Sequence, residues 1–166
     1  DHVIVNPLRI KKWIVDELEA SILLYYTGAS RSSAEIIDEQ KKNTSQGNNR
    51  AVEAMHRIKQ NAINMKEALL KGDISSFARI LGQGWEDKKA MASAISNPVI
   101  EEAMERAVQA GAITGKVSGA GGGGFIIFAV EPTKRLQVTR ALNQLDGNIV
   151  EFQFSEGGTH GWKIFH

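Results

Sequence analysis

A stripe of apolar residues, Val52, Met55, Ile58, Ala62, Met65 and Leu69, recurs at steps of three and four along the chain. That period places them on one face of an α-helix, which Gly72 is expected to end. Asp73 can cap a following helix whose inner face carries Ile74, Phe77, Leu81 and Trp85. Asn97-Pro98, a cap residue followed by proline at the first helical position, predicts another helix that stops at Gly111. Upstream, Ile10, Ile14 and Leu18 fit a helical stripe within residues 9–19, although Trp13 and Val15 would also suit a strand. Ser32 and Glu35 have capping-box spacing and predict a short helix to about Lys42, and the polar run 43–49 reads as an exposed loop, a hinge or lid candidate.

Other stretches are too short and too β-branched or aromatic for helices. Val3-Ile4-Val5 reads as a strand halted by Asn6-Pro7, and Ile22 to Tyr26 as a buried strand delivered into a turn at Thr27-Gly28. Phe125 to Val130 should be a central strand. Pro132 then opens a helix with Leu136, Leu142 and Leu145 inward, stopped by Gly147. From Ile149 to Phe154, Val150, Phe152 and Phe154 alternate with Glu151 and Gln153, as in a strand buried on one side, and Trp162 to Phe165 would add a last strand. Strands mixed with consecutive helices, without βαβ repetition, predict an α+β domain: an antiparallel sheet covered by helices.

Composition narrows the possibilities. With 166 residues, 42% of them hydrophobic, the chain can bury one core, and a single domain over 1–166 is expected. Lys+Arg 20 against Asp+Glu 19 is too balanced for the positive field that nucleic-acid backbones require. Cysteine is absent, which removes disulfides, thiolate metal sites and a cysteine nucleophile and suits a reducing compartment. No window approaches the roughly 18 consecutive apolar residues of a membrane span, and no basic-then-apolar leader opens the chain, so a cytoplasmic protein away from membranes is expected. A start at Asp1 rather than methionine suggests a fragment or processed product.

Residues 119–124 hold five glycines in six positions and formally satisfy G-x-G-x-x-G. A dinucleotide site needs that pattern between a strand and a helix, whereas here the loop lies between a short strand and the strand 125–130. The Walker pattern fails as well, because Gly115-Lys116 is followed by Val117. Glycine carries extra backbone entropy lost on folding, and a two-residue hairpin turn needs only one or two. The excess calls for close approach of another backbone or of a phosphate, with successive amides turned toward an anion.

Lys116-Val117-Ser118-Gly119-Ala120-Gly121-Gly122-Gly123-Gly124-Phe125 resembles the third signature motif of the GHMP kinase superfamily, named for galactokinase, homoserine kinase, mevalonate kinase and phosphomevalonate kinase. Tyr25 to Arg31 and Gly158-Thr159-His160-Gly161-Trp162 further resemble its heptose kinase branch, which phosphorylates D-glycero-D-manno-heptose 7-phosphate at the anomeric oxygen. The likeness covers nearly the whole chain. It implies a ferredoxin-like C-terminal domain whose third motif packs against an N-terminal phosphate-binding loop and borders the substrate. That loop, of the form P-x-x-x-G-L-G-S-S, and its acidic partner do not occur in these residues, so this chain alone is not expected to be a competent kinase.

The resemblance implies ATP and Mg2+ as cofactors, the metal held mainly by the absent domain, and a sugar phosphate and that N-terminal kinase domain as partners. Ser118, Gly119, Ala120, Gly121 and Gly122 are the candidate phosphate or substrate loop. Thr27, Arg31 and His160 are candidate substrate contacts, the first two because a hydroxyl and a guanidinium at a strand-end turn can grip a sugar hydroxyl and its distal phosphate. Against each stands a plainer reading: Arg31 pairing on the surface, His160 structural or exposed in a glycine-rich turn, Lys116 solvated, and Asp38-Glu39 and Glu101-Glu102 as wet helix faces. The four histidines have no metal-site spacing. Two rival readings remain: a stand-alone ligand-binding or regulatory domain, and an RNA-binding module, the latter disfavoured by Phe152 and Phe154 alternating with Glu151 and Gln153.

Overall fold

The computed structural model describes residues 2–28, 33–155, 157–159 and 161–163. In chain order it comprises α1 (Lys12–Ala20), β1 (Ile22–Tyr26), α2 (Ser33–Ser45), α3 (Asn49–Lys71), α4 (Ile74–Lys89), α5 (Pro98–Gln109), β2 (Ala112–Val117), β3 (Phe125–Val130), α6 (Arg135–Leu142) and β4 (Asn148–Val150), with 3-10 turns at Ser93–Ile95 and Pro132–Lys134. Helix boundaries follow local chemistry. The side chains of Asn48, Asp73 and Asn97 accept the amides of Ala51, Ser76 and Ile100, satisfying donors that have no partner inside the helix, and Gly72 ends α3 in the left-handed region at φ 73°.

The four strands form one sheet in the order β2-β3-β1-β4, every neighbouring pair antiparallel. With the α2–α5 segment and α6 as the two crossovers, this is the ferredoxin-like arrangement of an α+β domain. Strand alternation divides the core between the two faces. Leu23 and Tyr25 of β1 and Ile126, Phe128 and Val130 of β3 pack with Ile100, Ala103 and Ala107 of α5 and Val138 and Leu142 of α6. On the other face Ala129, with the partly buried Ile127, meets Ala78 and Leu81 of α4 and Met65 of α3. α4 lies so close to β2 that a Cβ on Gly82 would come 2.5 Å from the Thr114 hydroxyl oxygen.

Five expectations change. The run 43–49 is mostly helical, because Asn43 Nδ2 donates to the Met91 carbonyl at 2.9 Å and the Thr44 hydroxyl to that of Gln40 at 2.8 Å, so only Gln46-Gly47-Asn48 separates α2 from α3. Pro132–Lys134 forms a 3-10 turn before α6, which leaves Leu136 60% exposed and turns Val138 inward beside Leu142. The final strand is shorter and opposite in phase. The Gly147 amide donates to the Tyr25 hydroxyl at 3.0 Å, placing Ile149 opposite Tyr25 and packing it on the core while Val150 faces outward. Beyond Val150 the rings of Phe152 and Phe154 meet edge to face at 5.4 Å instead of continuing the sheet. Val3, Ile4 and Val5, each more than 80% exposed, pair with no strand among the described residues. Trp162 is likewise exposed and outside any strand, while Ile164, Phe165 and the capping residue Ser32 lie outside the described residues. No described helix is long and apolar enough to cross a membrane.

Candidate functional site

The glycine loop joins β2 to β3 and is held from three directions. At its neck the Ser118 amide donates to the Phe125 carbonyl at 2.8 Å. From the β1 side, both the backbone amide (2.9 Å) and the hydroxyl (3.1 Å) of Thr27 donate to the Gly124 carbonyl, and the rings of Tyr26 and Phe125 lie 5.2 Å apart. From the far side, the Gly122 amide donates to the carbonyl of Ile95 at 2.8 Å and Asn97 Nδ2 donates to the Gly122 carbonyl at 2.9 Å. Asn97 therefore both caps α5 and grips the loop.

Glycine is required for this seating. Gly119, Gly121, Gly122, Gly123 and Gly124 all have positive φ, and a Cβ on Gly121 would lie 2.8 Å from the Ile95 carbonyl oxygen. Ile95, fully buried, is itself fixed from α2. The Glu39 carboxylate accepts from the Ser93 amide at 2.8 Å and the Ser93 hydroxyl at 2.9 Å, and these bonds hold its pKa below the usual carboxylate value. Glu39 is thus a strut and not the wet surface residue its sequence context suggests.

The hydrogen bonds divide the candidate residues. Ser118 and Gly122 have their amides tied inward, while among the described residues the amides of Gly119, Ala120 and Gly121 have no hydrogen-bond acceptor. Ser118 and Gly119 are exposed and Ala120 partly so, whereas Gly121 and Gly122 are buried. The outward part of the loop accordingly runs from the Ser118 hydroxyl over Gly119 to Ala120, and a short arc of unsatisfied N–H groups free of bulky side chains suits phosphate oxygens. Thr27 is 5% exposed, and a cleft of about 270 Å³ opens beside it, bounded by Asn97, Val99, Gly122 and Gly123. Arg31 and His160 lie outside the described residues. Among the described residues no group of three His, Cys, Asp or Glu side chains is placed to hold a metal ion.

Two lysines adjoin the loop. Lys88, near the end of α4, donates to the Gly119 carbonyl, and burial together with the nearby Lys116 charge lowers its pKa to about 8. Lys116, expected to be solvated, is partly buried where β2 passes under α4, and burial lowers its pKa too. Nothing local in the sequence marks Lys88, which sits in the charged run Glu86-Asp87-Lys88-Lys89 and reads as surface.

A family model described as GHMP kinases C terminal matches residues 65–147, half of the chain, taking in α4, α5, β2, the glycine loop, β3 and α6. The chain belongs to the GHMP kinases. This GHMP kinase chain is 45% identical over 163 residues to D-glycero-alpha-D-manno-heptose 7-phosphate kinase from Campylobacter jejuni, covering 98% of its own length and 48% of the relative's. It superimposes with a TM-score of 0.68, at 48% identity, on the crystal structure of a D-glycero-D-manno-heptose 1-phosphate kinase from Bacteroides thetaiotaomicron, covering all of this chain and 43% of that one. Phosphomevalonate kinase from Streptococcus pneumoniae, solved with phosphomevalonate and AMPPNP, shares the fold at a TM-score of 0.61 and 18% identity over 78% of this chain and 39% of that one. The chain spans about half, or less, of the length of the curated relatives it matches.

Proposed function

We propose that these residues form the C-terminal domain of an ATP-dependent sugar kinase that phosphorylates D-glycero-D-manno-heptose 7-phosphate at the anomeric hydroxyl. The observation that carries this reading is the loop Ser118–Gly124, seated on Ile95, Asn97 and Thr27, with the Gly119, Ala120 and Gly121 amides left without acceptors among the described residues. The 45% identity to a heptose 7-phosphate kinase supports the sugar, although the two heptose kinase names differ in where the substrate's phosphate sits.

ATP with Mg2+ supplies the transferable γ-phosphoryl group and offsets its charge. The chain's own contribution is positioning. Gly119 and Ala120 present N–H groups to phosphoryl oxygens, and the Ser118 hydroxyl adds a rotatable donor beside them. Thr27 clamps Gly124, and Thr27, Arg31 and His160 are the proposed contacts to the sugar phosphate. An N-terminal domain carrying a second phosphate loop completes the site and holds the metal. Exposed Val3, Ile4 and Val5 give that domain an apolar seat.

Turnover of the intact protein with Gly121→Val is the test. A side chain there displaces the loop from Ile95, and a shift near 1 Å should lower kcat by about 100-fold. Unchanged turnover in the folded variant would remove the loop from the reaction.

A further inference from the structure

On the sheet face away from α5 and α6, the packing of α2, α3, α4 and β2 leaves a cleft of about 420 Å³. Its charged lining residues are Lys88 and Lys116. Gln40 of α2 also lines it, and the Gln40 side-chain nitrogen is buried with no hydrogen-bond partner among the described residues. A buried amide donor left unmatched costs on the order of 1–3 kcal/mol, so it marks a place where an acceptor belongs. Among the described residues no carboxylate lines the cleft. The two that adjoin lining residues in sequence, Glu39 beside Gln40 and Asp87 beside Lys88, are already bound, the first to the Ser93 amide at 2.8 Å and the second to Arg57 Nε at 2.5 Å and Asn61 Nδ2 at 3.1 Å. Apart from Asn61, whose side-chain amide is bound to Asp87, the remaining walls, among them Ile58, Met65 and Leu81, are apolar.

We propose that this cleft binds a small organic oxyanion, its charged head between Lys88, Lys116 and Gln40 and its apolar body against Met65 and Leu81. Two cations, a buried N–H donor and no acceptor of opposite charge select an anion, and the size falls in the range of small-molecule sites. Burial lowers both lysines' pKa values, which is the state of cations held without sufficient compensating charge. An oxyanion would supply that charge. Lys88 ties the cleft to the glycine loop through the Gly119 carbonyl, but no residue of 118–124 lines the cleft, and the proposal does not depend on the kinase reading.

Titration calorimetry on the intact protein tests it, with phenyl phosphate as probe and inorganic phosphate and benzyl alcohol as partial probes. One phenyl phosphate should bind per chain, at least 10-fold tighter than either partial probe, and should persist with saturating AMPPNP and sugar phosphate. Lys88→Met and Lys116→Met should each weaken it about 10-fold, and Gln40→Glu, nearly the same shape with reversed polarity, should abolish it while the melting temperature shows the fold intact. Lys12→Met, at an exposed lysine of α1 that does not line the cleft, should leave it unchanged. Binding that is indifferent to Gln40→Glu, absent from the intact protein, or displaced by AMPPNP and sugar phosphate would overturn the proposal.

Discussion

A Cβ on Gly121 would lie 2.8 Å from the carbonyl oxygen of Ile95, the same oxygen that accepts the amide of Gly122. The glycine loop therefore has a defined seat, and backbone touches backbone where a side chain would lift it.

Gly121→Ala and Gly119→Ala separate conformational cost from contact cost. Both have positive φ, but a Cβ on Gly119 meets nothing within 4 Å. Gly119→Ala should cost about 1–2 kcal/mol from backbone strain alone. Gly121→Ala should cost more, by roughly a further 1–3 kcal/mol for the overlap with Ile95. Denaturant unfolding of the two variants checks the order, and equal losses would mean that Ile95 does not constrain the loop.

Asn97 supplies two bonds that different substitutions remove. Asn97→Ala loses both the cap on Ile100 and the grip on Gly122, and should cost about 2 kcal/mol. Asn97→Asp keeps the capping oxygen but sets a carboxylate against the Gly122 carbonyl. It should preserve α5 while increasing hydrogen exchange at Gly122, which NMR reads directly.

The helices, the central strand and the position of the loop were legible because each rests on local chemistry: the 3.6-residue stripe of 52–69, the caps at Asp73 and Asn97, and five glycines that no turn requires. What the loop leans on was not. Ile95 and Lys88 reach it from 27 and 31 residues away, counting to Gly122 and Gly119, Glu39 braces Ser93 from 54 residues away, and no local pattern announces such contacts. Helix content in 43–49 was hidden because the partner of Asn43 is a distant carbonyl at Met91. The phase of β4 was misread for the same reason, since the Tyr25 hydroxyl under Gly147 sets the register.

Glu39 predicts an acid sensitivity. Bonds from Ser93 and Ala94 lower its pKa in the folded state, so its stabilisation is present above the unfolded value near 4.5 and is lost as the pH falls through the lower folded value. Glu39→Gln should cost about 1 kcal/mol at pH 7 and progressively less below pH 4.5, seen as converging unfolding midpoints.

Lys88 gives a slope of the same sign at high pH. Its folded pKa of about 8 lies under the ordinary 10.5, so between those values the unfolded chain binds more protons and stability rises with pH. Lys88→Met removes that slope. Any advantage of the variant near pH 7 should shrink steadily from pH 8 to 10.5, and a difference independent of pH would show that Lys88 is not held charged against its burial.

Phosphoryl transfer itself is the most direct test. The intact protein, given ATP, Mg2+ and D-glycero-D-manno-heptose 7-phosphate, should yield a sugar bearing a second phosphate at the anomeric carbon, seen by 31P NMR as a new resonance coupled to the anomeric proton. Absence of ATP-dependent phosphorylation of this or any other sugar phosphate would contradict the account.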